Sequence, residues 1–286
     1  MPGFKSIKEL INQAYDGGKN WSTVFRKVPA IATTANIWFD LSSAPGTPRP
    51  NYKVGNELEA TRFNGSYGIY HGSPITTDGF KFLHKFMVGC VSTNVVPAPF
   101  ILCDYLMFYP LVDMDNTDAQ VFDNTLYSLP RYADGEGVKA FLVATNPYAG
   151  GAQFQINYTN QAGTSGQVSE WATTNTSTYI STIVNCGISA ALRGPFIQLQ
   201  AGDRGIRSVQ SISFLSSNGG LAALVLVKPL ATIAHIDIQC VSETDFVIDL
   251  PSLPKIYDGA YLNLLCCPAG SASGIPIFGE LTTIWR

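Results

Sequence analysis

Charge is what this sequence has least of: 14% of its 286 residues are Asp, Glu, Lys or Arg, against 46% hydrophobic. Charged side chains belong on solvent-facing surface. A chain with so few is expected to hide more of its exterior against neighbours than a free monomeric enzyme does. The formal net charge of -3 provides no basic stripe of the kind nucleic-acid binders carry, which excludes direct nucleic-acid contact as the expected role. Also missing is any apolar run of about eighteen residues, so no membrane-spanning helix is expected. The opening stretch MPGFKSIKELINQAYDGG has no apolar core of a secretory signal, which implies synthesis in the cytoplasm.

Chemistry-bearing motifs are equally scarce. There is no Gly-x-Ser-x-Gly elbow, no phosphate-binding Gly-x-x-x-x-Gly-Lys loop and no Gly-x-Gly-x-x-Gly after a strand. The three histidines, His71, His84 and His235, form no His-x-x-x-His pair. The spacing of Cys90, Cys103, Cys186, Cys240, Cys266 and Cys267 matches no zinc pattern, and buried thiols acting as small hydrophobes are expected. No enzyme activity and no cofactor are expected. The best candidate for a metal is Asp113-Met114-Asp115-Asn116-Thr117-Asp118, because closely spaced carboxylates suit calcium. An EF-hand loop needs Gly sixth and Glu twelfth, where Asp118 and Asn124 stand. A solvated acidic loop, with no metal bound, is therefore the expectation.

What is present reads as strand and turn. In the stretch Gly194 to Leu230, Ile197, Leu199 and Ala201 alternate with Gln198 and Gln200, the period of a half-buried strand. Ile206 to Leu215 predicts a second strand, Asn218-Gly219-Gly220 a tight reversal, and Leu221 to Val227 a strand covered on both faces that stops by Pro229. Phe80 to Val91 and Phe100 to Val112 are apolar blocks, the latter a central strand kinked at Pro110. Gln153 to Tyr158 alternates polar and apolar residues, and pairs most simply with Val138 to Thr145 as a hairpin. Ile31 to Leu41, Tyr179 to Val184, Ile233 to Val241, Phe246 to Leu250, Leu262 to Pro268 and Ile275 to Trp285 complete the strand candidates, and Ile188 to Arg193 predicts a helical turn. Strands at such spacings predict an all-β protein with an antiparallel β-sandwich or jelly-roll-like body.

Two segments stand apart. Ser6 and Glu9 predict a capping box opening a helix with Ile7, Leu10, Ile11 and Ala14 on one face, ended by Gly17-Gly18. A helix this short must dock on its own body or on a neighbouring chain, and Trp21 and Phe25 extend its apolar surface. Ser42 to Tyr52, SSAPGTPRPNY, predicts an extended proline-rich arm. The expected organisation is a helical segment over 1–30, arm and turns over 31–75, and a sandwich body over 76–286 that could divide near 130.

The low charge, the short helix, the proline-rich arm and the runs GFKSIKEL (Gly3 to Leu10), LQAGDRGIRSVQSISF (Leu199 to Phe214) and ALVLVKPL (Ala223 to Leu230) together resemble virion structural proteins of tailed bacteriophages. That resemblance implies a capsid cement or decoration protein, or a head-tail, neck or tail component, assembled in the host cytoplasm. Its partners would be other virion proteins, including the major capsid protein, and further copies of itself. No long spine helix is present, which argues against the main shell protein. Under this reading Ile7, Leu10, Ile11, Trp21, Phe25, Arg49, Arg204 and Arg207 are the candidate interaction residues, with Arg193 beside them. A rival reading is a receptor- or glycan-binding sandwich using Tyr148, Tyr158 and Trp171. A glycan hydrolase is the third.

Overall fold

The computed structural model describes residues 4–75, 79–186, 194–249 and 253–286. A helix over Ile7–Leu10 widens into a π-helical stretch over Ile11–Asp16. The rest is built from antiparallel strands: β1 (Asn20–Lys27), β2 (Lys81–Cys90), β3 (Ala98–Asp113), β4 (Lys139–Ala144), β5 (Gln153–Asn160), β6 (Ile206–Phe214), β7 (Leu221–His235), β8 (Ser242–Asp245), β9 (Tyr261–Cys266) and β10 (Ile277–Trp285), with two-residue ladders between them. They form three sheets. The first runs β8-β2-β10-β1 and ends on Gly46–Thr47. The central one runs from Phe39–Asp40 through β9-β3-β7-β4, and the third holds β5 and β6.

The central sheet organises the protein because β3 and β7, sixteen and fifteen residues long, reach past both of the others. One face of it meets two sheets side by side. At one end Phe100, Leu102, Ile233, Leu262 and Leu264 pack on Phe25, Phe86, Val88 and Leu281 of the first sheet. At the other end Leu106, Tyr109, Leu142, Leu224 and Leu226 pack on Phe154, Ile156, Tyr158 and Ile212 of the third. Between the two cores, Lys228 stands opposite Asp104 in the β7–β3 register. Arg131 grips the Asp104 carboxylate through Nε at 2.8 Å and Nη2 at 2.7 Å, and Lys228 Nζ donates to the Glu136 carbonyl at 2.8 Å. A polar waist thus closes each apolar core where the other begins. β3 and β7 contribute side chains to both cores.

The opposite face of the central sheet, with Ile101, Cys103, Tyr105, Phe141, Val225 and Tyr261, is covered by irregular chain carrying Ile37, Phe63, Ile183 and Cys186. That covering accounts for two sequence-based expectations that fail. Ile31 to Leu41 contributes only the two-residue ladder Phe39–Asp40, and Tyr179 to Val184 contributes isolated bridges at Thr182 and Ile183. Their apolar residues are needed to cap a sheet face, which asks for burial rather than for regular pairing.

Other departures concern pairing. Val138 to Thr145 and Gln153 to Tyr158 are not a hairpin: β4 pairs with β7 and β5 pairs with β6. Asn218-Gly219-Gly220 likewise does not reverse β6 onto β7, which lie in different sheets. Both connections cross from one layer to the facing layer, and this builds the sandwich. Ile197 and Leu199 are buried as expected but outside any strand. Pro229 does not end pairing, because a register shift between Pro229 and Ala231 lets β7 continue to His235. Phe246 lies in a turn rather than a strand. Leu250 and the segment Ile188 to Arg193 lie outside the described residues.

Candidate interaction surface

The N-terminal helix docks at home. Leu10 and Ala14 pack with Phe82 and Ile284 at the end of the first sheet. Ser6 Oγ accepts from the Glu9 amide at 3.1 Å, half of the expected capping box, while the Glu9 carboxylate accepts from the Lys5 amide instead of the Ser6 amide. Tyr15 Oη and His84 Nδ1 are 2.7 Å apart, and His84 Nε2 lies 3.5 Å from Asp245 Oδ2. This row superficially resembles a proton relay. Burial raises the Tyr15 pKa and lowers that of His84, so the phenol is held as a donor to a neutral ring. The contact pins the helix to the first sheet.

The proline-rich segment crosses the surface tied down along its length. Buried Lys27 Nζ donates to the carbonyls of Ala44 and Pro48, each at 2.7 Å, and burial pulls its pKa down to about 7. Buried Lys53 pairs with Asp40 and donates to Ser42 Oγ at 2.8 Å and Ser43 Oγ at 2.7 Å. Asp40 also accepts from Tyr105 Oη at 2.7 Å. Ser42, Ser43 and Ala44 are therefore buried, and only the tip Pro45 to Thr47 and the run from Arg49 onward remain outside.

Of the eight predicted interaction residues, Leu10 and Phe25 lie in the protein's own core at 6% and 2% exposure. They are withdrawn as contact residues. Phe25 is turned inward because Gly279 on β10 leaves space for its ring: an added Cβ there would overlap both the ring and the Met87 carbonyl. Ile7, Ile11 and Trp21 are exposed. Arg204 is exposed and 3.3 Å from Glu136. Arg207 donates to the carbonyls of Asp134 and Gln161, so it braces turns of its own chain. Arg49 lies outside, its guanidinium stacked 3.4 Å from the Tyr67 ring centre.

Two surfaces emerge. The first is the edge of the first sheet. β1 pairs with β10 over all eight residues, yet on its other side only Arg26 and Lys27 are paired, with Gly46–Thr47. Residues 20–25 thus present a sheet edge without a strand partner among the described residues. Val24 on it is 72% exposed and Trp21, edge-on to Tyr70, is 45% exposed. The second is a depression of about 450 Å3 lined by Arg49, Tyr52, Val54, Arg62 and Tyr67. Arg62 donates to the Ser128 carbonyl at 2.9 Å and lies over Tyr127. Sequence reasoning missed Val24, Val54 and Arg62, which no local pattern marks; Tyr52 falls at the end of the proline-rich arm Ser42 to Tyr52.

The remaining candidates are structural. In the acidic loop Asp113 Oδ1 accepts from the Asp115 amide and Asn116 Oδ1 from the Asp118 amide, both at 2.9 Å. Among the described residues no three His, Cys, Asp or Glu side chains converge on a point. Tyr148 and Tyr158 are buried, their hydroxyls donating to Asn175 and Asp203, so of the three aromatics named for glycan contact only Trp171 reaches the surface. Cys90, Cys103, Cys186 and Cys266 are buried free thiols.

No protein-family model matches this chain, and no curated protein does. Among solved structures it is similar to VP1 of Trichodysplasia spinulosa-associated polyomavirus in complex with GM1 oligosaccharide. That match has 11% identity, covers 94% of this chain and 95% of that one, and has a TM-score of 0.26. The same VP1 in complex with sialylated precision glycooligomers matches at 11% identity, with 93% of each chain covered and a TM-score of 0.23. Similarity at this level carries no argument, and the fold stands on the sheets described above.

Proposed function

We propose that the protein is a structural subunit of a virus particle, of the cement or decoration type found in tailed bacteriophages, which works by being held by other protein chains. The observation that carries this reading is the edge of β1, unpaired over residues 20–25 among the described residues. A free monomer normally blunts such an edge with lysine, proline or a covering loop, because it is a template for another strand. Here Trp21 and Val24 are exposed on the two opposite faces of the strand, and Ile7 and Ile11 are exposed on the helix. An assembly satisfies the open ladder and covers these apolar side chains. The surface of Arg49, Tyr52, Arg62 and Tyr67 supports the same reading, since arginine and tyrosine dominate the energetics of protein contacts.

The test is incorporation into particles. Val24→Lys and Trp21→Lys place charge on the edge without touching the core. The expected result is a protein that melts normally but fails to co-purify with virions or to self-associate on light scattering. A double variant found in particles at wild-type copy number would refute the role of this edge. Absence of the wild-type protein from particles would refute the virion reading itself.

A further inference from the structure

Trp171 is 44% exposed and borders a depression of about 140 Å3 between the third sheet and the segment after residue 194. Its walls are fixed by backbone. Ala172 and Thr173 pair with Phe154 and Gln153 of β5. The Glu170 amide donates to the Gln198 carbonyl at 2.9 Å, and the Ile197 amide to the Ala140 carbonyl at 2.8 Å. Asn185 belongs to the wall, bonded to the Leu142 amide and the Pro195 carbonyl. Three other lining side chains, Gln153, Glu170 and Gln198, have polar ends that make no hydrogen bond or ion pair among the described residues.

We propose that this pocket binds one neutral pyranose ring of a carbohydrate. The C–H face of a pyranose carries partial positive charge and is attracted to the negative face of an indole. Its hydroxyls, each both donor and acceptor, match two free amides and a carboxylate at the pocket rim. Among the described residues Glu170 contributes the one carboxylate of the lining, so an acidic sugar is repelled. A single carboxylate also falls short of the pair that hydrolysis requires, so the pocket binds without cleaving. This inference does not rest on the assembly reading: it uses a different face and a different kind of ligand.

The experiment uses the whole chain with free glucose, galactose, mannose, N-acetylglucosamine and methyl sialoside as probes. Saturation-transfer NMR detects contact and tryptophan fluorescence gives the affinity. At least one neutral sugar is expected to bind with millimolar affinity, with Trp171→Ala weakening it roughly tenfold, the loss of one stacking contact. Gln153→Ala with Gln198→Ala is expected to weaken it as well. Both variants alter exposed groups, and an unchanged melting curve verifies that they fold. Failure of all four neutral sugars to bind, or equal binding by Trp171→Ala, overturns the site. A sialoside that binds as tightly as the best neutral sugar overturns the stated ligand class.

Discussion

Replacing Lys53 with methionine tests whether the proline-rich segment is held by charge. Asp40 is fully buried and accepts four hydrogen bonds: Oδ1 from the Ser42 amide and Tyr105 Oη, Oδ2 from Ser42 Oγ and Lys53 Nζ. Methionine keeps the length of the side chain and removes its charge, leaving the carboxylate in a low-dielectric site with Lys27 as its remaining nearby cation. Breaking a buried pair in this way costs about 3–5 kcal/mol. Unfolding entropy of roughly 0.6 kcal/mol/K for a chain of this size converts that to a fall in Tm of about 5–8 °C. Adding Asp40→Asn is expected to recover most of the loss. Asn Oδ1 keeps the two bonds to Ser42 and Tyr105, and its Nδ2 donates to Ser42 Oγ, so Ser43 Oγ, which Lys53 Nζ reaches at 2.7 Å in the wild type, is the one group of this cluster left without its partner. The assay is calorimetry of the wild type, both single variants and the double. A loss below about 1 kcal/mol in Lys53→Met, the size seen for exposed pairs, or a double variant no more stable than the single, would refute the reasoning.

Further outcomes follow from the same geometry. Burial, with Lys81 beside it, lowers the His71 pKa to about 4. The unfolded chain therefore binds more protons between that value and about 6.5, and stability falls as pH drops through this window, by about 3 kcal/mol in all. His71→Gln should flatten that part of the pH–stability curve measured by urea unfolding. Lys85 and Glu243, 3.0 Å apart but both more than a third exposed, should show a double-mutant coupling of about 0.5 kcal/mol or less. Phe86→Ala, at the contact of the first and central sheets, should cost about 3–5 kcal/mol, whereas Val24→Ala should leave Tm unchanged. Asp113→Asn with Asp115→Asn should leave the melting curve insensitive to calcium and to chelator, as should the wild type.

The strands themselves were legible because burial imprints a period on each. In Gln153 to Tyr158 the alternation placed Phe154, Ile156 and Tyr158 on one face, and all three are buried. Neighbours in space were not legible. Periodicity says which side of a strand is dry, but it does not say whether the next strand lies alongside in the same sheet or opposite in the facing one. Both hairpins expected around β5 and β6 failed on that point. For the same reason Tyr158, read as a surface aromatic, lies with its ring in the core and its hydroxyl on Asp203 at 2.6 Å. The interaction surface was half visible: exposed Ile7, Ile11, Trp21 and Arg49 were named, while Leu10 and Phe25 share their pattern and point inward. Nothing local marks Lys27 and Lys53 as buried, because the carbonyls and the carboxylate that receive them come from the tertiary fold.

The first sheet has an order of completion built into it. β10 lies between β2 and β1, so residues 20–25 have no ladder to join, and Arg26 and Lys27 only the short one with Gly46–Thr47, until residues 277–285 are available. During translation the earliest strand waits for one more than two hundred and fifty positions downstream, and contacts so remote in sequence form slowly. Throughout that interval both sides of β1 are open over residues 20–25. A chaperone, or a strand from another nascent copy, competes for the place that β10 finally takes, and exchange of that strand between copies is the assembly error to which this molecule is most exposed.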